Sequence, residues 1–221
     1  MNPDQWTAVD DYLVKTLLPV DPVLEAALAA SETAGLPAIN VAPNQGKLLQ
    51  MMARMCGSRR ILEIGTLGGY STIWLARALP NEGRLVTLEL DPKYAEVAQA
   101  NFEKAGLADR IDLRLGLAKD TLELMIKEGE EPFDFVFIDA DKVSSPEYLK
   151  CVLKLTRSGS VIVLDNVVRN GEVISETSDD PSVQGVRRFN ELVAAEPRVT
   201  ATALQTVGSK GYDGFTLLMV N

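Results

Sequence analysis

The sequence predicts an α/β fold: a mostly parallel sheet with one antiparallel strand, helices on both faces, and extra helices ahead of the sheet. Three observations carry this. From about Arg60 onward short apolar runs alternate with helix-period segments, the pattern of a parallel sheet covered on both faces. The last two runs, VTATALQTV and GFTLLMV, are separated only by the turn-rich GSKGYD, so they should pair as a hairpin. The residues before Arg60 are helical in period and do not continue the alternation. At 221 residues and 46% hydrophobic content, the chain suits one core and is short for two, so a single domain over 1–221 is expected.

In order, residues 5–18, 22–34 and 43–56 read as three helices, the second opened by Asp21-Pro22 as cap and first-turn proline. Residues 1–57 thus form a helical segment that is either a cover over the sheet's active edge or an oligomer contact. The core, residues 58–221, then follows. RRILEI ends near Ile64, GRLVTLEL near Leu90, RIDLRL near Leu115, FDFVFI near Ile138 and SVIVL near Leu164, with helices between them. The polar stretch from Asn166 to Pro181 is either a substrate-side loop or a solvated connection.

Composition narrows the function. A net charge of -9, from 31 acidic and 22 basic residues, disfavours a nucleic acid or an anionic membrane and favours a small-molecule partner. The amino-terminal stretch has no basic segment followed by an apolar core, and no apolar run approaches the roughly 20 residues that span a bilayer, so a cytoplasmic protein is expected. Cys56 and Cys151 lie far apart in helix-like contexts and read as buried free thiols. The sequence contains no histidine, which excludes His-based triads and His-ligated metals and leaves Lys, Asp, Glu or Tyr as a general base.

The first strand leads into Gly65-Thr66-Leu67-Gly68-Gly69-Tyr70-Ser71, a glycine-rich turn at its carboxyl end. A dinucleotide fingerprint needs glycines where Leu67 and Tyr70 stand, which weighs against a nicotinamide oxidoreductase. Strand two ends in Glu89-Leu90-Asp91, where a carboxylate can meet the two hydroxyls of a ribose. The alternative is a structural turn, since tight turns need glycine whatever they bind.

The fourth strand runs into Asp139-Ala140-Asp141-Lys142 and the fifth into Asp165-Asn166, so polar groups sit at the carboxyl ends of two strands that should be neighbours. Asp139, Asp165 and Asn166 would give Mg²⁺ three oxygen ligands and leave three positions open, enough for a chelating diol. Alternatively, acids after strands cap helices or solvate turns. Lys142 is either a solvated lysine or a base, because a nearby cation and desolvation would both lower its pKa.

Taken together, LEIGTLGGYST, TLELDPKYAEVA, FDFVFIDADK, VIVLDNVVRNGEV and VGSKGYDGF resemble the cation-dependent O-methyltransferases of the catechol and caffeoyl-CoA type, in their bacterial branch, across residues 36–221. The resemblance implies a seven-stranded class I methyltransferase (Rossmann-like) fold. It implies S-adenosylmethionine bound by Glu63, Gly65, Leu67, Tyr70, Ser71, Glu89 and Leu90, the adenine near Gly116 and Ala118, with contacts from Val41 and Asp139. It also implies Asp139, Asp165 and Asn166 as ligands of Mg²⁺, Mn²⁺ or Ca²⁺, Lys142 as the base, a phenolic small-molecule acceptor and a homodimer. A non-catalytic cofactor-binding protein is the remaining alternative, since fold alone does not establish activity.

Overall fold

A computed structural model describes residues 2–221. Three helices come first: α1 (Pro3–Leu17), α2 (Pro22–Thr33) and α3 (Pro43–Met55). The core runs β1 (Arg60–Ile64), α4 (Tyr70–Ala76), β2 (Arg84–Glu89), α5 (Pro92–Lys104), β3 (Ile111–Leu115), α6 (Ala118–Glu128) and β4 (Phe133–Ile138). It continues with α7 (Ser145–Val152), β5 (Thr156–Asp165), α8 (Pro181–Ala194), β6 (Val199–Gly208) and β7 (Gly211–Val220). The seven strands form one sheet in the order β3-β2-β1-β4-β5-β7-β6. The first five are mutually parallel, and β7 enters antiparallel between β5 and β6 as the hairpin pattern predicts.

Most helix starts follow directly from sequence. Asn2, Asp21, Asp91 and Asp180 cap α1, α2, α5 and α8 through side-chain oxygens that accept first-turn N–H groups, each followed by a proline whose missing N–H costs nothing there. Successive strand residues face opposite sides, so β1 and β4 supply two cores at once. Leu62, Ile64, Val136 and Ile138 meet α6, α7 and α8 through Met125, Leu149 and Phe189. Ile61, Phe135 and Phe137 face the other way, towards Ile73, Phe102 and the helical segment's Leu24, Leu49 and Ala53. Phe137 is fully buried, worth about 1.5–3 kcal/mol by itself. The amino-terminal helices therefore complete one layer of the sandwich, and the α2–α3 connection reaches the cavity described below at Ile39, Asn40 and Val41.

Register positions the site. Ile64 pairs with Leu88 on one side and Ile138 on the other, and Ile138 pairs with Leu164. One residue beyond that row stand Gly65, Glu89, Asp139 and Asp165, side by side along the carboxyl edge of the sheet.

Three sequence expectations change. Cys56 is exposed, because it sits at the carboxyl cap of α3 beyond its packed turns, while Cys151 is buried on the inner face of α7. Strand β2 ends at Glu89 rather than Leu90, because the Glu89 carboxylate accepts from the N–H groups of Leu90 (2.8 Å) and Asp91 (2.9 Å) and turns the chain. Strand β5 begins at Thr156, ahead of the expected SVIVL, with a register irregularity opposite Phe133 and Phe135. Among the described residues, no helix is long and apolar enough to cross a membrane.

Candidate active site

A cavity of about 740 Å³ opens over the carboxyl edge of the sheet, a size suited to a small ligand. Of the residues singled out from sequence, Val41, Gly65, Leu67, Tyr70, Ser71, Glu89, Leu90, Gly116, Ala118, Asp139, Lys142 and Asn166 line it. Glu63 and Asp165 lie just behind its wall, at 0% and 5% exposure.

The glycine turn owes its composition to packing. Gly65 has φ +100°, and a Cβ there would stand 2.3 Å from the Asp139 carbonyl oxygen. A Cβ at Gly68 would meet Ser31 Oγ at 2.0 Å, and one at Gly69 the Phe102 ring at 2.4 Å. These glycines let protein approach protein, which leaves the turn's other face to the cavity. Glu89 fastens the turn from β2: its second carboxylate oxygen accepts from the N–H groups of Thr66 (3.2 Å) and Leu67 (2.7 Å). With its bonds to Leu90 and Asp91, one buried carboxylate holds four backbone donors. Those four donors take up the roughly four lone-pair sites of a carboxylate, so a ligand hydroxyl at Glu89 has to share or displace one of them.

Behind the turn, Glu63 accepts from three hydroxyls: Ser71 Oγ (2.6 Å), Thr72 Oγ1 (2.5 Å) and Thr87 Oγ1 (2.7 Å). Burial pushes its carboxyl up to about 7, against the lowering effect of those three donors, and the charge of Asp139 adds to the rise.

The other half of the cavity is built on β4 and β5, which are adjacent and parallel. Lys142, only 6% exposed, donates to Asp139 Oδ1 (3.1 Å) and to the Ala140 carbonyl (2.9 Å), so it is no solvated surface lysine. Asp165 closes β5 and accepts from the Asn166 N–H at 2.8 Å and from Gln45 Nε2 at 2.6 Å. Its carboxyl is raised first by burial and then by the charge of Asp139. Asn166 has φ +55°, a left-handed conformation that asparagine tolerates better than most residues, and this turns the chain at the cavity wall. Two carboxylates and one amide, with one carboxylate destabilised by burial and by its neighbour's charge, form a donor set that fits a hard divalent cation. Among the described residues no group of three or more His, Cys, Asp or Glu is arranged to hold a metal ion.

Several cavity contributors have no signal in the local sequence. Gln45 reaches Asp165 across 120 residues of chain and is brought there only by the fold. Asp141 accepts from the Tyr148 hydroxyl (2.6 Å) and the Ser144 N–H (2.8 Å), fixing the start of α7. Arg169 lines the cavity from the segment after β5 and Ser182 from the first turn of α8, so the first residues of that segment are wall rather than simple connection.

The geometry has counterparts. The chain matches the O-methyltransferase family model over residues 21–219. It is 51% identical over 220 residues to a catechol O-methyltransferase of Niastella koreensis, covering 100% of both chains. It is 50% identical to a catechol O-methyltransferase of Mycobacterium tuberculosis, covering 96% of this chain and 94% of that one. Among solved structures, an O-methyltransferase from Bacillus cereus in complex with SAH superposes with a TM-score of 0.98 at 58% identity, covering 100% of both chains. A seven-stranded sheet with a single antiparallel strand, and a family match that spans nearly all of it, place the chain in the S-adenosylmethionine-dependent O-methyltransferase family that its motifs resemble.

Proposed function

We propose that the enzyme transfers the methyl group of S-adenosylmethionine to a hydroxyl of a catechol-like small molecule, such as a caffeoyl derivative, a flavonoid or a simple catechol. The observation that carries this reading is one cavity containing both a ribose-suited carboxylate, Glu89, and a hard-oxygen set beside a buried lysine. The names of the two 50–51% identical relatives and the SAH complex of the Bacillus cereus protein support it.

In this reading Glu89 receives the ribose hydroxyls. Leu67, Tyr70, Ser71, Leu90 and Val41 enclose the nucleoside, with Gly116 and Ala118 at the adenine. Glu63 acts indirectly, by holding the Ser71 hydroxyl. Asp139, Asp165 and Asn166 would hold a divalent metal, which supplies Lewis-acid stabilisation of a developing phenolate. Lys142 is the group placed to take the acceptor's hydroxyl proton, with Asp139 Oδ1 and the Ala140 carbonyl positioned to hold the resulting ammonium. The phenolate oxygen then bonds to the methyl carbon as the carbon–sulfur bond breaks, and its electron pair stays on sulfur. Holding oxygen, carbon and sulfur collinear is the main further contribution of the walls, worth up to about 7–11 kcal/mol.

A homodimer belongs to the same reading. Tyr12 and Leu17 of α1 and Leu204 and Val207 of β6 leave apolar side chains exposed and support it.

The test is transfer of labelled methyl from S-adenosylmethionine to a panel of catechols with Mg²⁺. Transfer should collapse in excess chelator and return when Mg²⁺ is restored. Undiminished transfer in chelator refutes the metal, and failure to bind S-adenosylmethionine refutes the whole reading.

A further inference from the structure

Three cationic side chains line the cavity: Lys119, Lys142 and Arg169. Lys142 is committed to Asp139 at 3.1 Å, and Lys119 stands 3.9 Å from Glu123. Among the described residues Arg169 makes no ion pair, and its Nε is buried without a hydrogen-bond partner. A buried donor left unpaired is costly, and a planar guanidinium beside it matches the two oxygens of a carboxylate.

The backbone under this side chain is held in a sparsely populated conformation. Arg169 and Asn170 have φ of +56° and +55°, the left-handed region that residues with a Cβ rarely adopt. Asp213 on β7 maintains it, its Oδ1 accepting from the N–H groups of Val168 (2.9 Å) and Arg169 (3.1 Å). Strain persists only where the surroundings over-determine it, and here it delivers an arginine to the cavity wall.

The location favours the acceptor over the cofactor. Sheet order separates the tips of β2 and β5 by three strand spacings, about 14 Å, so Arg169 is remote from the ribose-suited Glu89. The segment that carries it, Arg169–Ile174, packs against β7 and α8, and α8 sends Ser182 to the same cavity wall. The carboxylate on that side, Asp141, is already engaged by Tyr148 and Ser144, leaving Arg169 as the uncommitted charge.

We propose that Arg169 determines acceptor specificity by binding a carboxylate on the methyl acceptor, so that dihydroxyphenyl carboxylic acids are preferred over neutral catechols. This rests on the reading of the β4–β5 half of the cavity as the acceptor site.

The test compares 3,4-dihydroxybenzoate and 3,4-dihydroxycinnamate with their neutral methyl esters. Calorimetric binding to the enzyme loaded with SAH and Mg²⁺ is measured beside kcat/KM. The native protein should favour the acids, and Arg169→Gln should lose that preference by roughly ten- to a hundredfold, with turnover of the esters falling far less than that of the acids, cofactor affinity holding, and Arg169→Lys recovering part of the preference. If Arg169→Gln melts early, Arg169→Asn, which tolerates the left-handed backbone, takes its place. No preference in the native protein, a preference surviving in the variant, or equal losses for acids and esters would each overturn the proposal. Loss of cofactor affinity instead would assign Arg169 to the cofactor's own carboxylate and overturn it too. Charge-selective binding that depends on Arg169 without any methyl transfer would sustain the proposal and refute the catalytic reading alone.

Discussion

Glu63→Gln is expected to remove one pH-dependent part of the protein's stability. The Glu63 carboxyl is 0% exposed, and its folded-state value of about 7 lies well above the ordinary 4.5. Between those values the folded chain holds a proton that the unfolded chain has released. The contribution is therefore fully present below about 4.5 and is lost as the pH rises through about 7. A displacement of that size corresponds to about 3 kcal/mol, and no solvent screening reduces it at a fully buried position. Glutamine keeps the shape and removes the charge. Its amide oxygen can accept from Thr72 and Thr87, but its nitrogen must donate to Ser71 Oγ, so that hydroxyl has to turn, at about 1 kcal/mol. At pH 5 the variant should match the native protein or fall about 1 kcal/mol below it. At pH 8.5 it should be about 2 kcal/mol more stable, roughly 4–8 °C in melting temperature. Urea unfolding of both proteins without ligands, at the two pH values, isolates the effect because titrating groups that do not interact with Glu63 cancel in the difference. A variant-minus-native difference that does not change with pH would refute the argument.

Gly65→Ala places a methyl 2.3 Å from the Asp139 carbonyl at φ +100° and should cost at least about 2–3 kcal/mol, read as a lowered melting temperature. Gly57→Ala, at φ +62° with nothing within 4 Å, is the control and should lose only about 1 kcal/mol; equal losses would show that backbone conformation, not the contact, sets the cost. Lys142→Ala should lower kcat by roughly 10²–10⁴ while S-adenosylmethionine affinity, measured by calorimetry, stays nearly constant. Equal loss of both would make Lys142 a binding residue.

The fold was legible wherever the determinants are contiguous in the chain. Asp21-Pro22 announces α2, and the same signal at Asn2-Pro3 explains why α1 starts two residues before the expected position. The run FDFVFI reads as a central strand because both its faces are buried. At β5 the segment RSGS resembles a turn, yet its backbone extends the strand, with Ser160 donating to the Phe133 carbonyl at 2.7 Å.

In the site, the glycine turn and the two acidic strand ends stood out because each is a few consecutive residues at a strand terminus. Their packing was not visible. That Gly65 is required by Asp139, and that Gln45 holds Asp165, are facts about segments that meet only in three dimensions. Arg169 was hidden for a different reason: a lone arginine in a polar stretch looks solvated until the backbone that turns it inward is seen.

The bare contact between Gly65 and the Asp139 carbonyl makes one wall common to both halves of the cavity. With no side chain between them to give way, the glycine turn and the end of β4 are in direct backbone contact, and neither can shift towards the other. An engineer seeking new acceptors gains latitude at the rim, around Ser144, Arg169 and Ser182, whereas residues 65 and 139 form a fixed hinge-pin whose two pieces have to be exchanged together or left alone.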